Sequence, residues 1–246
     1  MSLPLTQHQV EIRRNLETWQ RKPLLQAVYA GFYRRILERV NPGLPGRVVE
    51  VGSGIGNLKT HLPAAICTDL FPNPWLDLVC DGYELPFRDA TVSHLVLFDV
   101  FHHLRAPNAF LGEARRVLVP RGRLILLEPY MSVVSYPAFA LLHHEPVALG
   151  APIDFRKTCP RPRDYYAAQG NATRLFFRRE RTDWLVGWTV LHAEAFATFT
   201  YLLSGGFSKP AFYPAAWRGG LQRCDRWLSR WPRLFATRCL VTLQPA

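Results

Sequence analysis

An apolar run that breaks into a glycine-rich turn is the feature that most constrains how this chain can fold. Residues 48–57 read VVEVGSGIGN. The apolar residues at 48–51 predict a buried strand, and Gly52, Gly54 and Gly56 supply a turn whose bare backbone a ligand can approach closely. A strand, a glycine turn and a helix N-terminus in this order are typical of nucleotide-binding α/β folds.

The spacing of these glycines separates two kinds of site. Dinucleotide-binding turns follow G-x-G-x-x-G, which would require glycine where this chain has Asn57. The pattern here is G-x-G-x-G, and an acid, Glu50, lies two residues ahead of the first glycine. The turn alone occurs in many α/β proteins that bind no ligand, so the residues that follow must decide its role.

Two acids follow at positions that suit a nucleoside. Residues 65–69 (AICTD) predict a short second strand that ends in Asp69. A carboxylate at this point can accept hydrogen bonds from two ribose hydroxyls, although an aspartate alone is also a common helix cap. Asp81 and Gly82 then open the segment DGYELPF, which by itself would be an ordinary turn.

The next elements continue an α/β alternation. Residues 92–98 predict a fourth strand, residues 109–119 a helix, and residues 123–128 a fifth strand. Together these motifs resemble the class I S-adenosylmethionine-dependent methyltransferases, in particular the enzymes of ubiquinone and menaquinone biosynthesis and their small-molecule relatives. The resemblance covers about residues 45–130. It implies an α/β, Rossmann-like fold with a seven-stranded, mostly parallel sheet, helices on both faces and an antiparallel last strand.

The same resemblance implies S-adenosylmethionine as cofactor and S-adenosylhomocysteine as product. In the family, the acid before an L-P-F stretch receives the adenine amino group, a role that falls to Asp81. The start of strand four often carries an aspartate, where this chain has Ser93 and His94, and Ser53 stands where cysteine or glycine is frequent. The cofactor-binding residues implied in this way are Glu50, Gly52, Ser53, Gly54, Gly56, Asp69, Leu70, Asp81, Gly82 and Phe98.

We predict one methyltransferase domain over residues 1–246. It divides into an N-terminal helical cap (1–44), a cofactor-binding core (45–130), an insertion that covers the substrate (131–186), and C-terminal strands and a helix (187–246). Tyr29 or Tyr33 of the cap is expected to line the cofactor pocket. The later elements expected are a helix over 173–186, a strand over 188–191, a helix over 215–229 and a last strand over 235–243.

Methyl transfer from a sulfonium is an in-line displacement, so positioning and desolvation supply most of the acceleration. An oxygen or nitrogen nucleophile of high pKa also needs a general base. The candidates follow strands four and five, where open sheets bind ligands, or lie in the insertion. The catalytic candidates are His102, His103 and His143, with Asp99, Glu128, Tyr130 and His144 as further possibilities. One member of a histidine pair in this position is often structural.

Charge is unevenly distributed along the chain, whose formal net charge is +11. Residues 151–246 contain 15 lysines and arginines against 6 acids. This excess suits an anionic or lipid-linked acceptor, an anionic membrane surface contacted through Trp217, Trp227 and Trp231, or RNA; a solvated surface is the plain alternative. We expect a cytoplasmic protein, because no secretion signal or long apolar run occurs, and peripheral membrane contact stays a hypothesis that rests on the Trp- and Arg-rich segment 217–233. Five scattered cysteines predict neither a metal site nor disulfides.

The sequence therefore predicts a methyltransferase for a small or lipid-like acceptor, anionic acceptors included, with oxygen ahead of carbon as the methylated atom. One alternative is an RNA methyltransferase that uses the basic C-terminal half. Nucleic acid is the less favoured partner, because residues 98–101 (FDVF) lack the Asn/Asp-Pro-Pro-Tyr pattern of amino-methylating enzymes. A cofactor-binding scaffold subunit without activity is the other alternative. No oligomeric state is predicted.

Overall fold

The computed structural model describes residues 5–142, 145–158, 166–178 and 183–246. Within this part of the chain, seven strands form one sheet. The strands are β1 (Arg47–Val51), β2 (Ile66–Asp69), β3 (Leu78–Val79), β4 (Val92–Phe98), β5 (Leu118–Pro129), β6 (Trp188–Phe196) and β7 (Arg238–Pro245). The helices are α1 (Leu5–Arg21), α2 (Pro23–Leu37), α3 (Pro107–Val117), α4 (Ser135–Leu142), α5 (Phe199–Leu203), α6 (Arg218–Leu228) and α7 (Pro232–Phe235).

The strand order is β3-β2-β1-β4-β5-β7-β6, and it indicates at which edge of the sheet a ligand binds. The first five strands pair in parallel, whereas β7 is antiparallel to both β5 and β6. The expected mostly parallel sheet with an antiparallel last strand is therefore confirmed. The chain reverses its direction of travel across the sheet between β1 and β4, and open sheets bind ligands at the carboxyl ends of the strands flanking such a point.

Successive residues of the two central strands face opposite layers of helix, because side chains alternate along a strand. The face toward α3 is formed by Leu95, Leu97, Leu124 and Leu126, packed with Phe110, Ala114 and Val117. The face toward α2 is formed by Val96, Phe98, Ile125 and Leu127, packed with Leu25, Phe32 and Ile36. Burial on both faces explains why these strands read as continuous apolar runs. No helix in the described ranges has the length and apolar character needed to cross a membrane.

Strand β5 begins earlier than the sequence predicts. Leu118 already pairs with Val92, and the pairing resumes between Arg123 and His94. The Pro-Arg-Gly segment that predicts a turn is instead an irregularity within the strand, where Arg121 adopts a left-handed φ of +65°. Local turn residues therefore interrupt the register without ending the strand.

The helix expected over residues 173–186 is replaced by two short turns. One, Thr173–Phe177, has π-helical hydrogen bonding, and the other, Asp183–Leu185, is a 3₁₀ turn. The ring centroids of Phe176 and Trp184 lie 5.1 Å apart. In a straight helix, residues eight apart would be separated by about 12 Å, so this aromatic contact is incompatible with one straight helix through both residues.

A buried histidine, His94, connects the start of β4 to the loop before β1 by a hydrogen bond. His94 is 1% exposed, and its Nε2 accepts a hydrogen bond from the Asn41 backbone N–H at 2.9 Å. Its Nδ1 lies 3.0 Å from the Ser93 hydroxyl. Burial, together with the nearby Arg123, lowers the pKa of His94 to about 4, so the folded protein holds this ring neutral.

We expect His94 to make the protein acid-sensitive. Its pKa is lower in the folded chain (about 4) than in the unfolded chain (6.5). Its contribution to the free energy of unfolding is therefore complete above pH 6.5 and is lost as the pH falls toward 4. The amide oxygen of the variant His94→Gln can still accept from Asn41. Between pH 6.5 and pH 4, the free energy of unfolding of this variant should decrease by about 2–3 kcal/mol less than that of wild type. Urea unfolding at a series of pH values measures this; identical pH profiles would contradict it.

Candidate active site

The glycine turn after β1 is fixed to β2 by reciprocal hydrogen bonds. The Ser53 N–H donates to the Thr68 carbonyl at 2.8 Å, and the Thr68 N–H donates to the Ser53 hydroxyl at 3.1 Å. Gly52 has φ +73°, and a Cβ there would lie 2.4 Å from a methyl carbon of Val100. Gly54 has φ +53°, but a Cβ there would meet nothing within 4 Å. The turn is thus tight at its first glycine and open at its second.

Asp69 closes this turn from the end of β2. Its Oδ2 accepts from the Gly54 N–H at 2.9 Å, and its Oδ1 accepts from the Phe71 N–H at 3.2 Å. The Asn73 side-chain amide donates to the Gly54 carbonyl at 3.0 Å. Each oxygen of a carboxylate can accept a second hydrogen bond, so Asp69 holds the turn and keeps acceptor capacity for hydroxyl groups.

A cavity of about 260 Å³ opens beside this turn, at the carboxyl ends of β1 and β4. Of the predicted cofactor residues, those that line it are Glu50, Gly52, Ser53, Gly54 and Phe98. The others, on the loops after β1, β2 and β3, are Gly56, Asp69, Leu70, Asp81 and Gly82, and they lie outside its lining. Asp81 accepts from the Tyr83 N–H at 2.9 Å, which makes it part of a tight turn.

Glu50 is a buried acid in the wall of the cavity. It is 2% exposed, and the Cys67 thiol lies 3.8 Å from its Oε2. Burial raises the pKa of Glu50 to about 8. A cationic group beside Glu50 would therefore stabilise its carboxylate form and lower its pKa.

Aromatic rings from the N-terminal helices cover the cavity. Tyr29 and Tyr33 both line it, and their ring centroids lie 5.2 and 5.4 Å from that of Phe98. Helix α1 adds Ile12, which is buried, and Asn15. These side chains remove water from the space above the strand ends.

An ion pair crosses the sheet at the floor of the cavity. Asp99, directly after β4, has a left-handed φ of +59° and pairs with Arg238, the first residue of β7. The guanidinium of Arg238 is 2% exposed and lies 4.7 Å from the ring centroid of Tyr201. Its Nε has no hydrogen-bond partner among the described residues. A buried arginine with an unused donor is a candidate contact for a ligand.

The two predicted histidines belong to a buried network of carboxylates. His102 Nδ1 lies 2.6 Å from Glu128 Oε2, and its Nε2 lies 3.3 Å from Glu145 Oε2. His103 Nδ1 lies 3.0 Å from the Tyr166 carbonyl, and its Nε2 lies 3.3 Å from Glu145 Oε1. The third predicted histidine, His143, lies outside the described residues, as does His144.

The two histidines differ in their preferred charge. Burial disfavours the imidazolium of His102, but Glu128 and Glu145 outweigh it and raise the pKa of His102 to about 10. Burial and the neighbouring His102 lower the pKa of His103 to about 4. At neutral pH, His102 therefore holds a proton between two carboxylates and is not free to accept another.

Several lining residues carry no local sequence pattern. In the sequence, Arg238 stands just before an apolar run, where a polar residue at the end of a strand is ordinary. Glu145 lies in a segment without a regular pattern. The lining residues that sequence reasoning missed are Glu11, Ile12, Asn15, Ile55, Asn57, Pro129, Phe139, Glu145, Gln169, Tyr201, Phe207 and Arg238. An arginine at the start of an otherwise buried strand was the one available signal.

Comparison with known proteins agrees with this geometry. Residues 49–126 match the family model of a methyltransferase domain. Over these residues the chain matches a methyltransferase domain, and its fold is that of the class I S-adenosylmethionine-dependent enzymes. The ubiquinone-type subclass is not singled out by this match. A search of curated proteins finds no match to this chain.

Solved structures share the fold of this chain at low sequence identity. One is the putative methyltransferase of Haloferax volcanii in complex with a methyltransferase activator, with TM-score 0.52, 20% identity, and coverage of 97% of this chain and 95% of that chain. Another is a possible histamine N-methyltransferase of Thermotoga maritima, with TM-score 0.52, 14% identity, and coverage of 96% and 99%. The geranyl diphosphate C-methyltransferase of Streptomyces coelicolor has TM-score 0.51, 11% identity, and coverage of 88% and 76%.

We expect Gly52→Ala to strain the glycine turn. Both its positive φ and the 2.4 Å approach of a Cβ to Val100 oppose a side chain, so the free energy of unfolding should fall by about 1–3 kcal/mol. Gly112→Ala is the control, because Gly112 lies within α3 with open space around it; it should stabilise by about 0.5–1 kcal/mol. Thermal unfolding compares the two, and equal melting temperatures would show that the turn tolerates a Cβ.

Proposed function

We propose that the protein transfers the methyl group of S-adenosylmethionine to a small or lipid-like acceptor, with oxygen ahead of carbon as the methylated atom. The observation that carries this proposal is the aromatic-covered cavity beside the glycine turn, which is lined by both cofactor-type residues and a separate histidine–carboxylate network. A concave pocket of this size suits a small acceptor better than a face of a large polymer.

The residues of the glycine turn fit the cofactor. Open space at Gly54 leaves room for a ligand against the backbone, and Asp69 beside it keeps acceptor capacity for two ribose hydroxyls. We place the adenosine along Gly52, Gly54 and Asp69, with Asp81 at the adenine end. The amino-acid end then lies toward Glu50.

The charge of the cavity also favours this cofactor. Its acidic lining residues are Glu11, Glu50, Asp99 and Glu145, whereas Arg238 is the one guanidinium among the described lining residues and is held by Asp99. A pyrophosphate would be repelled here, while a cationic group would be attracted. S-Adenosylmethionine supplies a methyl group on a positively charged sulfonium, which is a good leaving group.

The chain contributes positioning and exclusion of water. Tyr29, Tyr33 and Phe98 keep the reaction space dry, which strengthens every electrostatic contact inside it. His102 already holds a proton between two carboxylates, so we assign it an orienting role. The acceptor would lie on the side of the cavity bordered by His103 and Glu145.

An exposed apolar patch near the cavity supports a lipid-like acceptor. The N–H groups of Val133 and Val134, just after β5, donate to the carbonyls of Arg233 and Leu234, which joins these segments in one surface. Trp227 and Trp231 stand close together, with ring centroids 4.9 Å apart, and both are exposed. The arginines of this region are Arg218, Arg223, Arg226, Arg230 and Arg233. Exposed tryptophan with arginine suits an anionic membrane surface.

Calorimetric titration with S-adenosylhomocysteine tests the cofactor site. Asp69→Asn and Asp69→Ala should weaken binding by about 10- to 100-fold, because a charge-assisted contact to the ribose is lost. Asp89→Asn is the control: this side chain is 78% exposed and pairs with Arg116 on the surface. Equal affinity in all variants would show that Asp69 does not contact the ligand.

The acceptor is tested with radiolabelled S-adenosylmethionine and separated cell fractions. Label in the small-molecule or lipid fraction is the expected result. Label in RNA would support the RNA alternative instead, and cofactor binding without transfer to any fraction would support the scaffold alternative.

Membrane contact is tested by sedimentation with phosphatidylcholine vesicles, with and without phosphatidylglycerol. We expect binding only to the anionic vesicles, weakening as salt screens the arginines, and reduced in Trp231→Ser. Val186→Ser is the control, because Val186 is 79% exposed but is not among the patch residues. If wild type ignores anionic vesicles at low salt, membrane contact is wrong.

A further inference from the structure

Three side chains bordering the cavity bring their donor atoms together. His102, His103 and Glu145 each offer one nitrogen or oxygen atom, and these atoms all lie within 4.8 Å of one another. His102 and His103 are adjacent in sequence, whereas Glu145 comes from the segment after α4. All three line the cavity.

The outer nitrogen of each histidine is already committed elsewhere. His102 Nδ1 contacts Glu128, which is 0% exposed, and His103 Nδ1 contacts the Tyr166 carbonyl. Histidines that bind metals almost always direct the second ring nitrogen to a carboxylate or a backbone carbonyl in this way. Both Nε2 atoms are thereby turned toward the same carboxylate.

The spacing at that carboxylate suits an ion between the donors. His102 Nε2 lies 3.3 Å from Glu145 Oε2, and His103 Nε2 lies 3.3 Å from Glu145 Oε1. Donor atoms each about 2.1 Å from a tetrahedral ion are separated by about 3.4 Å. In a neutral His103 whose Nδ1–H donates to the Tyr166 carbonyl, Nε2 carries a lone pair, as a metal ligand requires.

We propose that His102, His103 and Glu145 form a binding site for one divalent transition-metal ion, with an open coordination position toward the cavity. The set has two imidazole nitrogens and a carboxylate, which suits Zn²⁺, Co²⁺ or Fe²⁺ rather than Mg²⁺ or Ca²⁺, ions that prefer oxygen ligands. The ion would take the place of the Nε2 proton of His102, so that its charge replaces that of the imidazolium between Glu128 and Glu145.

A second grouping of acids with a histidine is the weaker candidate. Asp99, His102 and Glu128 also lie within 4.8 Å of one another. However, Asp99 is paired with Arg238, and Glu128 Oε1 accepts from the N–H groups of Val100 and Phe101. This second grouping offers one imidazole nitrogen against two in the first, so the first grouping suits a transition-metal ion better.

The open position gives the ion a role in recognising the acceptor. An acceptor hydroxyl or phosphate oxygen could complete the coordination, and a bound hydroxyl would lose its proton more readily. This role rests on the proposed methyl transfer, whereas the metal site itself does not.

Equilibrium dialysis of the metal-free, full-length protein against Zn²⁺ and against Co²⁺ tests the site. Wild type should bind one equivalent, show a visible Co²⁺ absorption band, and unfold at a higher temperature with Zn²⁺ present. Glu145→Gln and His103→Gln should each lower the affinity by more than about 100-fold, beyond the loss typical of an outer partner. His102→Gln is avoided as the sole test because its buried ring supports the fold.

The control is His192→Gln, because His192 and Glu194 form another histidine–carboxylate pair, 3.4 Å apart on β6. It should bind one equivalent like wild type. Three results would overturn the proposal: no stoichiometric ion bound by folded wild type, unchanged affinity in Glu145→Gln and His103→Gln, or loss of the ion only in a His143→Ala/His144→Ala variant. Each readout is independent of methyl transfer, so failure of the proposed function would not be mistaken for failure of this site.

Discussion

A single buried carboxylate, Glu128 at the end of β5, organises the region around the cavity. One oxygen accepts hydrogen bonds from the N–H groups of Val100 and Phe101, and the other contacts His102. The loop after β4 is thereby fixed to the neighbouring strand. Because an uncompensated buried carboxylate is costly, removal of any partner would destabilise the loop as well as the histidine pair. The position of Asp99, His102 and His103 therefore depends on Glu128.

The antiparallel strand β7 gives the floor of the cavity its second fixed charge. Inserted between β5 and β6, it brings Arg238 to the carboxyl end of β4, where Asp99 turns through a left-handed conformation to meet it. Aromatic rings from α2 and α5 surround the guanidinium, including Phe32 and Tyr201. The ion pair thus joins the last strand to the helices that cover the cavity.

Charge is separated between the inside and the outside of the protein. The cavity is lined by acids that favour a cationic ligand, whereas the surplus of arginine in residues 151–246 includes the region around α6 and α7. The high net charge of the chain consequently says little about the cofactor pocket. It describes the outer surface instead, where the arginines of α6 and α7 lie.

The sequence by itself determined the strand–turn–strand core and the class of cofactor. Gly52 needs a positive φ, and Asp69 ends a short strand. The apolar runs that contain Leu95 and Leu97, and Leu124 and Leu126, mark two buried central strands. Each of these features is local in the sequence. Only the tertiary structure decided the acceptor side. Asp99 and Arg238 lie 139 residues apart yet border one cavity, and Glu145 contacts His102 across 43 residues. No spacing rule links such residues, because strand order and the antiparallel insertion of β7 set their distance. The two-turn fold of residues 173–178 and 183–185 was missed for the same reason: contact with Trp184 outweighed local helix propensity.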